Sequence, residues 1–316
     1  MSTVLITGGA GFIGSHLAER LVARGDQVIL ADNFRRDSLS ASGGLREHER
    51  VTVRTVDILD LDAVTDAATG ADTVVHLAAI AGVQSYYDES LRTLEVNILG
   101  TYNVLTAAAR SGIRRVIDFS TSEVFGPDAL WVDEESGYHI GPVSDRRWVY
   151  ATSKLAGEQF TMRFSEKHGL AATVLRPFNV YGPRQTGEGA ISNFSRAAIK
   201  GRPLSVYGDG TPIRAWCFVD DMVDAVILSL DTPAATGETF NIGNPRETET
   251  TLGLARRIAA LDGNPGIEFV AMNRAEVRSR VPNIDKARRI LGFEPKVDLK
   301  TGLQRTFEWF RSEVSA

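Results

Sequence analysis

Residues 3–14 read Thr-Val-Leu-Ile-Thr-Gly-Gly-Ala-Gly-Phe-Ile-Gly, and no other stretch restricts the fold so tightly. An apolar run of strand length, Thr3–Thr7, stops at two glycines. An amphipathic pattern then follows over Gly11–Arg24, with Ile13, Leu17, Leu21 and Val22 on one side. Glycines at such a junction permit a tight turn, close approach of backbone to a ligand, and close helix–strand packing. Gly9, Gly11 and Gly14 fit G-x-G-x-x-G, while Gly8, Gly11 and Gly14 fit the related G-x-x-G-x-x-G, so two spacings are open. A second strand, Gln27–Ala31, ends at Asp32, eighteen residues beyond Gly14. A carboxylate there accepts hydrogen bonds from ribose hydroxyls and repels a 2′-phosphate. The helix N-terminus adds free N–H groups for a pyrophosphate. The junction predicts a dinucleotide site, with NAD favoured over NADP. Arg35 and Arg36 read either as partners of a phosphate or as solvated loop arginines. Asp57-Ile58 reads either as an adenine bracket or as a helix cap.

The alternation continues along the chain. Val51–Val56, Thr73–Leu77, Arg115–Ser120 and Ala172–Arg176 read as buried strands, and Leu91–Arg110 and Tyr150–His168 as long helices. Strands separated by helices predict an α/β fold, a Rossmann-type doubly wound parallel sheet. From about Asn179 glycines and prolines multiply, which predicts a smaller, loop-rich C-terminal substrate lobe. Within it Asp220–Leu230 reads as a helix and Thr239–Ile242 as a strand. Leu252–Leu261, Ile284–Leu291 and a stretch carrying Leu299, Leu303 and Phe307 read as tail helices. The expected division is a cofactor domain over 1–178, to which 215–243 returns, and a substrate lobe over 179–316.

Composition removes other classes. A chain of 316 residues with 43% hydrophobic residues can bury a core without disulfides. Its single cysteine, Cys217, lies in the apolar run Ala215–Val219 and reads as a buried structural thiol in a reducing compartment. The five histidines form no H-E-x-x-H pair, so no metal site is expected. Acidic residues outnumber basic ones, 40 to 35, with no long basic run, so neither nucleic acid nor an anionic membrane is an expected partner. No stretch of about 18 apolar residues occurs. The N-terminus lacks a basic region ahead of its short apolar run. The expected location is cytoplasmic.

Tyr150 and Lys154 form Y-x-x-x-K at a helix start, with both side chains on one face. The chain has 29 arginines but six lysines, and Lys154 is the first lysine. Lysine in so arginine-rich a sequence suggests a need for a compact ammonium. That ammonium and a cationic nicotinamide are both expected to lower the phenol's pKa, so that it serves as base and later as acid. The strand Arg115–Ser120 runs into Thr121-Ser122-Glu123, and the C-terminal ends of strands face the ligand in an open α/β sheet. A hydroxyl there can hydrogen-bond a substrate alkoxide. Arg214 carries a charge into an apolar run, which suggests an anionic partner.

These motifs, TGGAGFIG, HLAA (His76–Ala79), STSEVFG, YATSK, RPFNVYGPR (Arg176–Arg184), YGDG (Tyr207–Gly210), FVDD (Phe218–Asp221) and ILGFEP (Ile290–Pro295), resemble the extended short-chain dehydrogenase/reductase family of nucleotide-sugar epimerases, dehydratases and decarboxylases. The resemblance implies a retained NAD that oxidises C4 of a nucleotide sugar, with Thr121, Tyr150 and Lys154 as the catalytic trio. It implies a cofactor site built from Gly8, Gly11, Phe12, Ile13, Gly14, Asp32, Asn33, Asp57, Ile58, Leu77, Ala78, Ala79, Tyr150, Lys154 and Phe178. It places Asn179, Arg184, Asn193 and Arg214 near the diphosphate and Tyr207 near the base. It further implies a homodimer through the helices at Leu91–Arg110 and Tyr150–His168.

Thr121-Ser122-Glu123, Gly141-Pro142, Arg147 three residues before Tyr150, and Arg280 ahead of Pro282 are most similar to UDP-glucuronate decarboxylases. That likeness puts Ser122, Glu123 and Arg280 at the sugar carboxylate and C5. Ala81–Tyr87 and Gly187–Ala190 resemble 4-epimerases, the alternative outcome of the same 4-keto intermediate. A reading from a different class is a catalytically silent, NAD-sensing Rossmann protein.

Overall fold

The computed structural model describes residues 1–271 and 277–315. The chain begins with β1 (Thr3–Thr7), α1 (Phe12–Arg24), β2 (Gln27–Asp32), β3 (Val51–Thr55), α2 (Leu61–Ala68) and β4 (Thr73–His76). Next come the short helices α3 (Val83–Asp88) and α4 (Ser90–Leu94), a π-helical turn over Glu95–Leu99, α5 (Gly100–Arg110) and β5 (Arg115–Phe119). They are followed by β6 (Asp128–Val132), α6 (Val149–His168), β7 (Ala171–Pro177) and β8 (Val180–Tyr181). The remainder is α7 (Ala190–Ile199), β9 (Leu204–Tyr207), β10 (Ile213–Ala215), β11 (Cys217–Phe218), α8 (Val219–Asp231), β12 (Glu238–Ile242), β13 (Thr248–Thr250), α9 (Thr251–Ala259), β14 (Ile267–Val270), β15 (Ser279–Pro282), α10 (Asp285–Leu291) and α11 (Leu299–Ser315).

Seven parallel strands form the central sheet in the order β12-β7-β5-β4-β1-β2-β3. This is a Rossmann-type α/β fold. Alternate residues of its inner strands enter opposite cores. Val4, Ile6, Val75 and Ile117 pack on the face that carries α1 and α8, while Leu5, Val74 and Val116 pack with residues of α2 and α5 on the other. All seven are at most 1% exposed, because helices cover both faces of the sheet. Strand order reverses between β1 and β4, which opens a crevice at their C-terminal ends.

Local chemistry sets the ends of the helices. Gly25 takes φ +94° and its N–H bonds the Leu21 and Val22 carbonyls, closing α1. Asp60 caps α2 by accepting from the N–H groups of Asp62 and Ala63.

Three sequence expectations change. The helix read as continuous over 91–110 is broken by the π turn, which accommodates inward-facing Asn97. Its amide pairs with both the N–H and carbonyl of Ile80 and reaches Ser153 Oγ at 3.0 Å. The region beyond 178 is less loop-rich than its glycines and prolines suggest. Beside the expected helix α9, it contains α7 and short ladders β9–β14, β10–β13 and β10–β15, with Gly208 and Gly210 at positive φ between β9 and β10. β6, unread from the sequence, leaves the first half of the chain to pair with β15, while β12 pairs with β7 of the central sheet. The chain therefore crosses residue 178 in both directions. Cys217 is fully buried, and no helix among the described residues is long and apolar enough to cross a membrane.

Candidate active site

A cleft of about 480 Å³ opens at the β1/β4 reversal. Gly8, Gly11, Phe12, Ile13, Gly14, Asp32, Asn33, Asp57, Ile58, Leu77, Ala78, Ala79, Tyr150 and Lys154 all line it. Phe178 is instead fully buried beside Val124 and Phe125, with no face on the cleft. Of the two glycine spacings, Gly8-Gly11-Gly14 faces the cleft and Gly9 packs against Leu30. A Cβ on Gly8 (φ +72°) would lie 2.6 Å from Ala78 N, and one on Gly14 2.5 Å from Gly8 O, so neither position accepts a side chain. Gly11 caps α1 without a side chain, leaving the first-turn N–H groups to a ligand. Asp32 accepts hydrogen bonds from Ala10 N (2.9 Å) and Phe34 N (2.8 Å), which fixes its carboxylate at the cleft wall. Burial pushes its pKa up. This bare glycine cradle at a helix start, with a fixed carboxylate at the next strand end, fits NAD. Arg35 pairs with Glu89, while Arg36 lies over Gly187 at the cleft mouth.

Beyond the C-terminal end of β5, Thr121 caps the turn Ser122–Phe125, its Oγ1 accepting from Glu123 N at 3.2 Å. Thr121 also acts on Tyr150, favouring its ionised form. Lys154, one turn along α6, donates to Phe119 O at 2.6 Å. Among the protein's own groups, burial pushes the Tyr150 phenol up, Glu123 adds to the rise, and Thr121 and Arg36 oppose it. Tyr86 stacks flat on Tyr150, with centroids 4.9 Å apart and planes 8° apart.

Glu123 is the centre of a charged cluster. Its Oε2 accepts from Arg147 at 2.5 Å and from Arg280 at 3.2 Å, and both guanidiniums are buried. Burial alone would push Glu123 up, but Arg280 and then Arg147 hold its carboxyl below the usual range. Ser122 is buried in the same turn. Arg147 drew attention in the sequence only by its place three residues before Tyr150. Tyr86 drew attention only as part of the epimerase-like segment Ala81–Tyr87, and its stacking gave no signal because the partner lies 64 residues away.

The residues assigned to the diphosphate and base are more dispersed. Arg214 is half-buried, donates to Val277 O at 2.7 Å, and acts electrostatically on Glu123. Asn179 donates to Ala215 O at 2.9 Å. Arg184 already has a partner within the protein. Both its terminal nitrogens bond the Glu19 carboxylate of α1, at 2.6 and 2.7 Å, because a buried guanidinium requires a partner. Asn193 is exposed on α7, and Tyr207 is exposed at the end of β9. None of these five lines the cleft. No cluster of His, Cys, Asp and Glu suited to a metal occurs among the described residues.

Residues 4–243 match the model of the NAD dependent epimerase/dehydratase family. The chain is 37% identical to a UDP-N-acetyl-alpha-D-glucosaminuronate decarboxylase of Bacillus cytotoxicus, the match covering 97% of each. It is 34% identical to UDP-glucuronic acid decarboxylase 1 of Xenopus tropicalis, over 98% of this chain and 72% of that one. Among solved structures, a UDP-glucuronic acid 4-epimerase from Bacillus cereus in complex with UDP-glucuronic acid and NAD superposes with a TM-score of 0.90 at 28% identity, covering 98% of this chain and 99% of that one.

Proposed function

This chain belongs to the NAD dependent epimerase/dehydratase family, and from that premise we propose that it oxidises C4 of a UDP-linked uronate and releases the sugar carboxylate as carbon dioxide. The observation that carries this reading is the surplus positive charge around Glu123. Two buried guanidiniums share one carboxylate, and Arg147 Nη1 and Arg280 Nε have no hydrogen-bond partner. Buried cations and unpaired donors favour an added anion. A uronate brings one, whereas a neutral hexose leaves the donors unmatched. The decarboxylase relatives support the same choice.

Gly8, Gly11, Gly14 and the start of α1 hold the pyrophosphate of NAD, Asp32 the ribose, and Asp57-Ile58 the adenine. Bound NAD supplies the oxidising capacity at C4. Tyr150 accepts the C4 hydroxyl proton, with Thr121 sharing the oxygen and Lys154 supplying positive charge behind it. The resulting ketone lies β to the carboxylate, so the C5–C6 pair can pass into an enolate as carbon dioxide leaves. Thr121 and Tyr150 stabilise the enolate oxygen, Arg147 and Arg280 hold the carboxylate before it departs, and Ser122 and Glu123 manage the proton returning to C5.

Mass spectrometry after incubation with UDP-glucuronate and UDP-N-acetylglucosaminuronate tests the reading. A UDP-pentose or its 4-keto form (or the acetamido counterpart) with carbon dioxide release is expected. A C4 epimer without gas assigns 4-epimerisation, and turnover of neutral UDP-hexoses alone overturns the uronate reading. NAD binding with no turnover of any of these sugars favours the silent sensor.

The same reading includes a cytoplasmic homodimer. Leu91, Leu99 and Tyr102 are exposed along α4–α5, and Tyr102 meets Phe160 and Phe164 of α6 edge-on. Such an apolar stripe suits a second copy. Sedimentation of Leu99→Asp should show a monomer.

A further inference from the structure

We propose that Asp118 is a positioning residue for C4 oxidation, the dedicated buried counter-ion that keeps the Lys154 ammonium charged behind Tyr150. The proposal concerns oxidation itself and does not depend on which sugar is the substrate.

The charges around Lys154 come from three elements. Glu158 and Tyr150 lie one turn either side of it on α6, Asp118 lies on β5, and His76 lies on β4 directly across from Asp118. His76 supplies no charge. Both ring nitrogens are engaged by hydroxyls, Thr7 at 2.7 Å and Thr101 at 2.9 Å, and burial holds its pKa down to about 3. Glu158 is already matched: Arg176 binds both its oxygens, at 2.8 and 2.7 Å, and Ser120 donates to one of them. Asp118 is 2% exposed, and no arginine pairs with it. Oδ2 accepts from Thr161 Oγ1 at 2.9 Å, and Oδ1 has no hydrogen-bond partner. A Cβ on Gly157 would lie 3.9 Å from Oδ2, so Asp118 faces α6 between the turns of Lys154 and Thr161. Burial pushes its carboxyl up, and the Lys154 ammonium is the charge that most opposes the rise, without a direct ion pair between them. The dependence is mutual. Burial lowers the Lys154 pKa, and Asp118 leads the two carboxylates that oppose the fall. The Lys154–Phe119 carbonyl contact holds the ammonium in place but adds no net charge.

The test is an NMR titration of lysine side-chain nitrogens in the NAD-loaded protein, with the Lys154 resonance assigned by its loss in Lys154→Met. Six lysines make the spectrum tractable. In Asp118→Asn the Lys154 midpoint should fall by about one pH unit or more. The alkaline limb of turnover should fall with it, while KM for the nucleotide sugar stays put. Thr161→Val removes only the hydroxyl that secures Asp118 and should move the midpoint the same way by less, which keeps the idea testable if Asp118→Asn does not fold. An unmoved Lys154 midpoint in the folded variants would show that Asp118 is protonated or serves packing alone, and would overturn the proposal. The titration needs no substrate, so its failure is separable from failure of the decarboxylase reading.

Discussion

Arg147 Nη2 lies 2.5 Å from Glu123 Oε2, and the same guanidinium lies 5.7 Å from the centre of the Tyr86 ring, which in turn stacks on Tyr150. One side chain thus touches both the charged cluster and the ring that backs the candidate base. Arg147→Met removes one of the three cations that depress Glu123, leaving Arg280 and Arg214. The carboxyl pKa should rise, so activity should fall more at pH 6 than at pH 8, read as an upward shift of the acid limb of kcat. The stability loss should stay below the roughly 3–5 kcal/mol of a fully unpaired buried charge, because Arg280 remains.

Tyr150→Phe preserves the ring stacked on Tyr86 and removes only the hydroxyl. Turnover should fall by about 10²–10⁴-fold, the span assigned to a positioned acid–base group. NAD should still bind, as measured by calorimetry. Undiminished turnover would place the base elsewhere.

Gly8 and Gly25 both hold positive φ, yet they differ in what surrounds them. A methyl group on Gly8 meets the Ala78 backbone at 2.6 Å, whereas one on Gly25 meets nothing within 4 Å. Gly25→Ala should cost about 1 kcal/mol of stability through backbone strain and leave NAD affinity unchanged. Gly8→Ala should weaken NAD binding by at least about tenfold, because strand and cradle must move apart to admit the methyl.

His76 is buried and neutral with a pKa of about 3, well under its ordinary 6.5. Below pH 6.5 the unfolded chain takes up a proton that the folded chain refuses, so stability falls as pH drops from 6.5 towards 3. Between pH 6.5 and 5 the group should remove about 2 kcal/mol. In denaturant titrations His76→Gln should show a flatter acid slope, whatever its stability at pH 7.

The glycine-lined half of the cleft was legible in sequence because its parts are local. A strand, three glycines and a helix start occupy twelve consecutive residues, and Asp32 follows at the next strand end. Tyr150 and Lys154 were legible for the same reason, since helical periodicity puts residues four apart on one face. Arg147 gave only a spacing, and Asp118 read as one more residue of a buried strand.

Sequence alone therefore determined the parallel sheet, the glycine turn and the identity of the Tyr–Lys pair, all set by short-range sterics and hydrogen bonding. Only the tertiary structure decided which charges meet. Glu123 joins Arg147 from 24 and Arg280 from 157 residues away, Arg184 is drawn to Glu19, and Asp118 is left as the unmatched carboxylate near Lys154. Burial makes an unpaired charge costly, so ion pairing is settled by which side chains the packed fold brings together, and that information lies in no single stretch of chain.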